Sequence, residues 1–405
     1  MSYLTNNSIN KYKVKVSRTE SIIDTIIPII SLFMFVYLPT SNNSKIYGNG
    51  WIITIWALAT VMVLILYFKN KSNTIKSLMI FLFVTIYMSI ITLVILNINS
   101  YARISIARIA PILLLTLLYS IKIDVGNQYK LMTRLLDLFF ITMIIWNILI
   151  LVDNSFINEF TTNYYSQYYN RALFYSLLYN KTVMSFGVHT YASYFYMLFF
   201  YMSYQTAKVT KKRKYYLYCI SATIFTFFLT SNTSIIYGII MVFMLLKLFK
   251  TKPLTMIVLL LIGVIVLINF YIVLTEKYLF IFQSNSNGFI ARYLGEDIVF
   301  QENINYILNN YAIGFNILDN VDLNYSDSGY MVYLTMGNFP LLFIIYYWTF
   351  RFLKNNIPKD SLLFILFIVF SFEVALPATF NYRYIYAMIF LIYYLQSLEN
   401  NYKLR

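Results

Sequence analysis

The chain has 405 residues, of which 60% are hydrophobic, 20% aromatic and only 12% charged, whereas soluble domains carry about 25% charged residues. This composition excludes an ordinary water-soluble domain and makes lipid the expected main solvent. The formal net charge of +15 does not indicate a nucleic-acid partner, because the basic residues are spread over short segments between apolar runs and form no single patch.

Apolar runs of about 17 to 22 residues recur from Ser21 to Gln396, and each is long enough to cross about 30 Å of hydrocarbon as a helix. The sequence therefore predicts an all-α fold, a polytopic membrane helix bundle of about 12 transmembrane helices with two long extracytoplasmic loops. Residues 1–405 form a single integral membrane domain on this interpretation. The predicted spans are 21–39, 51–68, 77–96, 104–121, 135–152, 188–206, 215–231, 234–249, 254–275, 329–350, 361–376 and 384–398.

The orientation follows from the basic residues. The polar and basic stretch Met1–Glu20 is not followed by a small-residue cleavage motif, so the first span is expected to stay as an anchor. With the amino terminus inside, 23 of the 31 lysines and arginines fall in cytoplasmic segments. Because the distribution of lysine and arginine sets orientation, we expect both termini in the cytoplasm.

Two outer connections are long, 153–187 and 276–328, and long loops in compact proteins are often functional. Within the second loop, apolar residues from Arg292 to Leu308 are spaced by three and four, which predicts an amphipathic helix.

Glycine is scarce, at 11 residues, and so is proline, at seven. No internal repeat is evident, so the pattern does not favour a rocking transporter built from inverted repeats.

Eight basic residues lie outside the cytoplasmic segments, and five of them are arginines. The planar guanidinium grips phosphate or carboxylate with two parallel hydrogen bonds and keeps its charge when partly dehydrated. Outward arginines are what a protein acting on a lipid diphosphate at the outer leaflet needs. The eight are Lys45, Arg103, Arg108, Arg171, Lys181, Lys277, Arg292 and Arg383.

Each of these arginines also has a simpler explanation. Arg108 lies within the fourth predicted span, where it either binds a ligand or extends to the interface. Arg103 and Arg383 lie at span mouths, where interfacial anchoring is the alternative to ligand binding. Arg171 and Arg292 belong to the long loops, where a charge is often only solvated.

Three further ionisable residues are candidates for chemistry. Asp327 opens the tenth span as either an N-cap or a general base for a sugar hydroxyl. His189 heads the sixth span, as a hydrogen-bonding bystander or a base. Glu373 lies inside the eleventh span, where an ionisable residue is expected to be functional or paired, with Arg108 or Arg383 as the partner. The single cysteine, together with the single histidine, excludes a thiolate or histidine-rich metal centre.

Several short motifs follow one another between about Arg171 and Trp348. They are Gly187–Thr190 at the entry to a span, Phe228–Ser234 as a Leu-Thr-containing tight turn, and a loop ending made of Ala312–Asn316, Asp327–Tyr330 and Gly337–Pro340. In this order and topology the chain resembles the O-antigen polymerase and ligase family, the Wzy-type membrane glycosyltransferases that join lipid-linked oligosaccharides.

Two departures from the family pattern matter. Family members often carry an arginine in the Leu-Thr turn, where this chain has Asn232 and Thr233, so a role for that arginine falls elsewhere or is absent. Ligases carry a histidine at the end of the long loop, where this chain has Asp327, and this difference favours a polymerase.

The resemblance implies a polymerase that transfers a growing glycan from an undecaprenyl diphosphate carrier to a new lipid-linked repeat unit, at the outer face of a bacterial cell membrane. It implies no cofactor, and no metal is needed because arginine charges stabilise the leaving diphosphate; the acidic residues of the second long loop leave a metal site open as an alternative. The expected partners are the lipid-linked oligosaccharide, membrane lipid and other polysaccharide-assembly membrane proteins. The catalytic candidates are Asp327, His189 and Arg292, and the diphosphate-binding candidates are Arg103, Arg108, Arg171 and Arg383.

Three alternatives remain open from the sequence. A transporter or flippase of lipid-linked sugars also needs arginines, but it predicts charges deep in many helices and no large outer cap. A membrane acyltransferase would use His189 as its base and modify a surface glycan. A purely structural membrane protein is the third.

Overall fold

The computed structural model describes residues 18–39, 51–70, 106–126, 128–165, 181–229, 231–249, 305, 328–375, 379 and 381–403. Its regular structure is helical throughout this part of the chain, which confirms the all-α prediction there. The helices are α1 (Arg18–Leu32, continued by a π-helical turn Phe33–Tyr37), α2 (Trp51–Lys69), α3 (Ile106–Tyr119), α4 (Tyr129–Leu151), α5 (Ser155–Tyr165), α6 (His189–Thr210), α7 (Arg213–Phe228), α8 (Asn232–Leu248), α9 (Gly329–Asn356), α10 (Lys359–Ala375) and α11 (Tyr382–Lys403).

Ten of the twelve predicted apolar spans correspond to described helices, and the other two, 77–96 and 254–275, lie outside the described residues. The largest difference is α5, a helix within the first predicted long loop. The Asn154 side chain accepts a hydrogen bond from the backbone N–H of Ile157 at 3.1 Å, and the Trp146 indole donates to Thr161 at 3.0 Å. These contacts hold a helix too short and polar to be recognised as a span.

Helices α6 and α11 form the centre of the bundle. From Tyr191 to Tyr204 every residue of α6 is buried, and the same holds from Arg383 to Leu395 in α11. Helix α6 packs against α7, α8, α10 and α11, while α11 also packs against α1, α2 and α4. The central helices therefore bury all of their faces, as expected of helices that are apolar all round.

The turn between α7 and α8 is fixed by a capping box. The backbone N–H of Ser234 donates to the Ser231 hydroxyl oxygen at 3.1 Å, and the Ser231 N–H donates to the Ser234 hydroxyl at 2.8 Å. Gly238 then allows close approach of α8 to α7, since a Cβ there would lie 2.7 Å from the Phe227 ring. The Leu-Thr-containing turn is thus a helix hairpin.

Segments predicted to be cytoplasmic meet at one end of the bundle. The connection Ile121–Gly126 is held there by side chains of α9 and α11. The backbone N–H of Ile123 donates to the Asn356 side chain at 2.6 Å, while Gln396 donates to the Ile123 carbonyl at 3.1 Å and Asn400 to the Val125 carbonyl at 3.0 Å. Segments predicted to be external, including 181–189 and the starts of α9 and α11, meet at the opposite end.

One described helix, Tyr129–Leu151, is long and apolar enough to cross a membrane by the measures of length and composition. Shorter apolar helices occupy Ile22–Tyr37, Thr54–Lys69 and Thr233–Leu248.

A buried ion pair joins α1 to α2 near the end that holds Ile121–Gly126. The Lys69 ammonium pairs with Asp24, and these two side chains are only 9% and 8% exposed. Lys69 also donates to the Asp124 carbonyl at 3.1 Å, and the Tyr393 hydroxyl donates to Asp24 at 3.2 Å. Removing one partner of such a pair leaves the other charge buried without compensation.

We expect Asp24→Asn to lower the free energy of unfolding by about 3 kcal/mol, because the Lys69 charge then remains buried alone. The measurement is the unfolding temperature in detergent. The matched control is Asp137→Asn, since Asp137 pairs with Lys214 at 2.6 Å but the lysine and aspartate side chains are 43% and 26% exposed. This control should lose less than about 1 kcal/mol. Equal losses of unfolding free energy in the two variants would mean that burial does not strengthen the Asp24–Lys69 ion pair.

Candidate functional site

The structure describes only part of the predicted site. His189 and Arg383 are described in full. Arg108 belongs to α3, but its side chain lies outside the described residues. Four further candidates also lie outside them, so their roles stay predictions: Arg103, Arg171, Arg292 and Asp327.

The segment 181–189 leads into α6 and is anchored in the core. The Thr182 hydroxyl donates to the Phe225 carbonyl at 2.6 Å, and the Thr182 carbonyl accepts from the Tyr196 hydroxyl at 2.7 Å. After a short 3₁₀ turn, Gly187 has φ 75°, a left-handed conformation that glycine adopts without steric cost. The glycine of the predicted span entry is therefore required by the turn that sets the start of α6 at His189.

Two buried cations lie along this segment. Lys181 is 7% exposed, and burial lowers the pKa of its ammonium to about 8. The ammonium acts electrostatically on the half-buried His189, and the described residues offer it neither a hydrogen bond nor an ion pair. The second cation, Arg383, is fully buried, which is not the exposure expected of an interfacial anchor.

Arg383 connects α11 to the same segment. Its Nη2 donates to the Ser185 carbonyl oxygen at 2.7 Å, and its guanidinium carbon lies 5.5 Å from the centre of the Phe186 ring. The buried hydroxyl of Ser185 has no hydrogen-bond partner in the part of the chain that the structure describes. Segment 181–189 thus carries the buried Lys181 and the unpartnered Ser185 hydroxyl, and it is contacted by the buried Arg383 of α11; positive charge held in this way is suited to binding an anion.

Glu373 lies near the same end, at the end of α10. One carboxylate oxygen accepts the backbone N–H of Thr379 at 2.9 Å, and the other accepts the Tyr346 hydroxyl at 3.0 Å. No described lysine or arginine approaches within 4 Å of it, so the predicted ion pair with Arg383 is wrong. Hydrogen-bond donors from the following turn and from α9 take the place of a cation.

Tyrosine hydroxyls surround this carboxylate. Tyr333 donates to the Thr379 hydroxyl at 2.6 Å, and Tyr119 donates to the Tyr384 hydroxyl at 3.2 Å. The hydroxyl of Tyr194 has no partner within the described ranges. Five buried tyrosines interact electrostatically with Glu373, namely Tyr119, Tyr194, Tyr333, Tyr346 and Tyr384.

The Glu373 cluster and segment 181–189 adjoin each other. The Tyr194 ring of α6 stacks on Phe372 with centroids 4.1 Å apart, one residue from Glu373. The Ser328 hydroxyl, at the start of α9, donates to the Glu373 carbonyl at 3.3 Å. The candidate site therefore lies where the starts of α6, α9 and α11 meet the end of α10.

Sequence reasoning missed the most informative residues of this region. Lys181 was counted among the outward basic residues but given no role, and no tyrosine was named as a candidate. Thr379 carries no motif at all. Only the position of Lys181, a few residues before the glycine-containing entry to α6, signalled that it belongs to the site.

The chain matches no protein-family model, no curated protein and no solved structure. Among the described residues, no three histidine, cysteine, aspartate or glutamate side chains converge to hold a metal ion.

The lowered pKa of Lys181 leads to a prediction about stability. Between pH 8 and the ordinary lysine value of 10.5 the unfolded chain holds a proton that the folded chain has lost, so stability rises with pH in that range. Below pH 8 the buried charge opposes folding in full. We expect Lys181→Met to raise the free energy of unfolding at pH 7 by about 3 kcal/mol, at about 1.4 kcal/mol per pKa unit, and this advantage to shrink as pH approaches 10.

The measurement is the unfolding temperature of both proteins at pH 7 and pH 10. Lys208→Met is the matched control, because Lys208 is exposed on α6, and it should change stability little at either pH. A Lys181→Met variant that is less stable than the wild type at pH 7 would mean that the ammonium has a stabilising partner.

Proposed function

We propose that this protein is a membrane-embedded polysaccharide polymerase that joins oligosaccharide repeat units carried on a lipid diphosphate, at the outer face of a bacterial cell membrane. The observations that support the proposal most directly are two buried cations, Lys181 on segment 181–189 and Arg383 on α11, which contacts that segment at Ser185 and Phe186. Buried charge is costly, and a protein that keeps it generally has a use for it. A diphosphate has the charge to neutralise both cations.

The membrane part of the proposal is supported by the outer surfaces of the helices. Large apolar side chains on α1, α4 and α9 recur at helical spacing and are about 40 to 70% exposed. Apolar stripes of this length are rare on water-soluble monomers, whereas lipid covers them favourably. They are Ile22, Ile26, Ile29, Ile30 and Phe33 on α1, Leu138, Ile141, Ile145, Ile148 and Val152 on α4, and Phe339, Phe343, Tyr347 and Phe350 on α9.

The proposed architecture is the full bundle of about 12 spans with external loops 153–187 and 276–328. The polar groups of the candidate site face the inside of the bundle while apolar groups face outward. Arg103, Arg108, Arg171 and Arg292 would add positive charge from the same outer side, because the proposed topology assigns all of them to it.

In the proposed reaction a hydroxyl of the incoming repeat unit attacks the anomeric carbon of the growing glycan. The new glycosidic C–O bond forms as the bond between that carbon and the diphosphate oxygen breaks, and the lipid diphosphate leaves with the bonding electrons. Lys181 and Arg383 stabilise the charge that develops on the leaving group. The acceptor proton passes to Asp327 or His189, which are the two candidate bases.

The proposal is tested in cells that make the polysaccharide. Deleting the gene should leave single repeat units on the lipid carrier at the outer leaflet, and expressing the wild-type protein should restore long polymer. A flippase would instead leave lipid-linked units on the cytoplasmic leaflet after deletion. Accumulation on the cytoplasmic side would contradict the proposal.

The topology is tested separately. Reporters fused after Lys214, Lys252 and Lys359 should report a cytoplasmic location, and reporters at Asn163 and Asn310 an external one, because the lysine and arginine bias is so uneven. An external signal after Lys214 would reverse the orientation and remove the proposed outer site.

A further inference from the structure

The turn between α6 and α7 concentrates exposed positive charge. Lys208, Lys211, Lys212 and Arg213 are all exposed, and none has an ion pair with a described residue. The next residue, Lys214, differs because the Asp137 carboxylate accepts two hydrogen bonds from it, at 2.6 and 2.9 Å. The only described carboxylate that pairs with this turn is therefore bound to Lys214 and does not neutralise the other cations.

The backbone conformation of the turn disfavours the basic residues that occupy it. Lys211 has φ 55°, a left-handed conformation in which glycine or asparagine is favoured and a lysine is strained. Arg213 and Lys214 open α7, whose first turn holds no acidic residue, although cations are unfavourable at a helix start. Folding alone does not favour lysine and arginine at these positions.

Exposed apolar side chains lie next to these cations. Leu217 is 60% exposed on α7, and Phe249, which follows α8, is 48% exposed. The rings of Tyr216 and Phe249 have centroids 5.5 Å apart, which brings the exposed Lys247 near the same turn. A surface that carries cations next to exposed apolar side chains is suited to the boundary of a bilayer, where the cations meet lipid headgroups and the apolar side chains meet acyl chains.

We propose that this surface, formed by Lys208, Lys211, Lys212, Arg213 and Lys247 with Leu217 and Phe249, binds the phosphate groups of anionic phospholipids in the cytoplasmic leaflet. The inference rests on the membrane placement and orientation proposed above but not on glycosyl transfer. Clusters of four or more basic residues directly cytoplasmic of a transmembrane helix attract anionic lipid, and each cation adds to the attraction. The lipid is a specific ligand at this surface, and its binding stabilises the turn.

The experiment uses the full chain purified in a neutral detergent and titrated with phosphatidylglycerol or phosphatidylcholine, with binding followed by native mass spectrometry and by the unfolding temperature. The test variant is K208Q/K211Q/K212Q/R213Q. The matched control is K122Q/K130Q/R134Q/K354Q, which removes four exposed charges from the same end but from outside this turn: one from the connection Ile121–Gly126, two from α4 and one from α9. We expect the test variant to bind phosphatidylglycerol roughly tenfold more weakly or worse, and the control to bind it almost as the wild type does.

A second variant keeps the proposal testable if the quadruple variant folds poorly. Lys211→Gly relieves the left-handed conformation, so it should unfold at a higher temperature than the wild type in neutral detergent. It should nevertheless gain less stability from phosphatidylglycerol. Equal lipid affinity in the wild type and both turn variants, or equal loss in the test and control variants, would overturn the proposal and leave the charges as a topology signal only.

Discussion

Arg383→Lys is expected to reduce polymer synthesis about a hundredfold while the protein still folds and inserts, a loss typical of removing one donor from a preorganised charge-stabilising site. The physical reason is geometric. The guanidinium donates to the Ser185 carbonyl and lies against the Phe186 ring at the same time. An ammonium keeps the charge but lacks the planar fork that satisfies both contacts and still faces a diphosphate. The measurement is the polymer length distribution in cells, at matched protein levels.

The matched control is Arg351→Lys. Arg351 also lies over aromatic rings, 5.1 Å from Trp348 and 5.9 Å from Tyr347, but it is exposed and belongs to the predicted cytoplasmic end of α9. This substitution should leave polymer synthesis almost unchanged. Wild-type polymer from Arg383→Lys would show that the buried arginine only holds segment 181–189 in place.

Glu373→Ala is expected to be among the most destabilising substitutions in the described part of the chain. It leaves the Thr379 N–H and the Tyr346 hydroxyl buried without an acceptor, at about 1 to 3 kcal/mol for each group, and it opens a cavity beneath the starts of α9 and α11. Glu373→Gln keeps the shape: its amide oxygen can accept from the Thr379 N–H, and its amide nitrogen can donate to the Tyr346 hydroxyl oxygen once that hydroxyl turns. This variant should therefore fold normally and retain most polymer synthesis. Unfolding temperature and polymer length together separate the two variants.

The glutamine variant also decides which carboxylate accepts the proton. Normal folding with no polymer would show that Glu373 itself is the base, and Asp327 would lose that assignment. Retained polymer from Glu373→Gln, together with loss from Asp327→Asn, would leave Glu373 as the acceptor that fixes the turn before Arg383. The N-cap residue of α9 is Ser328, so the alternative that Asp327 is the N-cap was wrong, and Asp327→Asn tests the proton acceptor without removing a cap.

The helices could be predicted from the sequence because a long apolar run has one stable form in lipid, a helix that satisfies its own backbone. The start of α8 was also readable, since Ser231 and Ser234 form a capping box within a motif that the sequence already displays. Helix α5 was not recognisable, because its stability comes from the contact of Trp146 with Thr161 and from packing on α4, which no local pattern records.

The site could be predicted only in part. A lone arginine at a span mouth marked Arg383, but its contact with Ser185 joins residues almost 200 positions apart, and sequence spacing carries no sign of it. For the same reason Arg383 was the wrong partner for Glu373, since the turn after α10 brings the Thr379 backbone to the carboxylate; the alternative partner, Arg108, has its side chain outside the described residues and stays a prediction. Burial is what turned Lys181 from one of several outward charges into a central residue of the site.

This chain alone should lengthen a glycan on a lipid diphosphate, and synthesis by the purified protein measures that activity directly. The wild-type protein, reconstituted in liposomes with lipid-linked repeat units, should convert them into a ladder of longer glycans and release one lipid diphosphate for each linkage, without any nucleotide sugar. The Arg383→Lys protein in the same liposomes should leave single units. Movement of the units between leaflets with no ladder, or a ladder that the wild type and Arg383→Lys make equally well, would contradict the account.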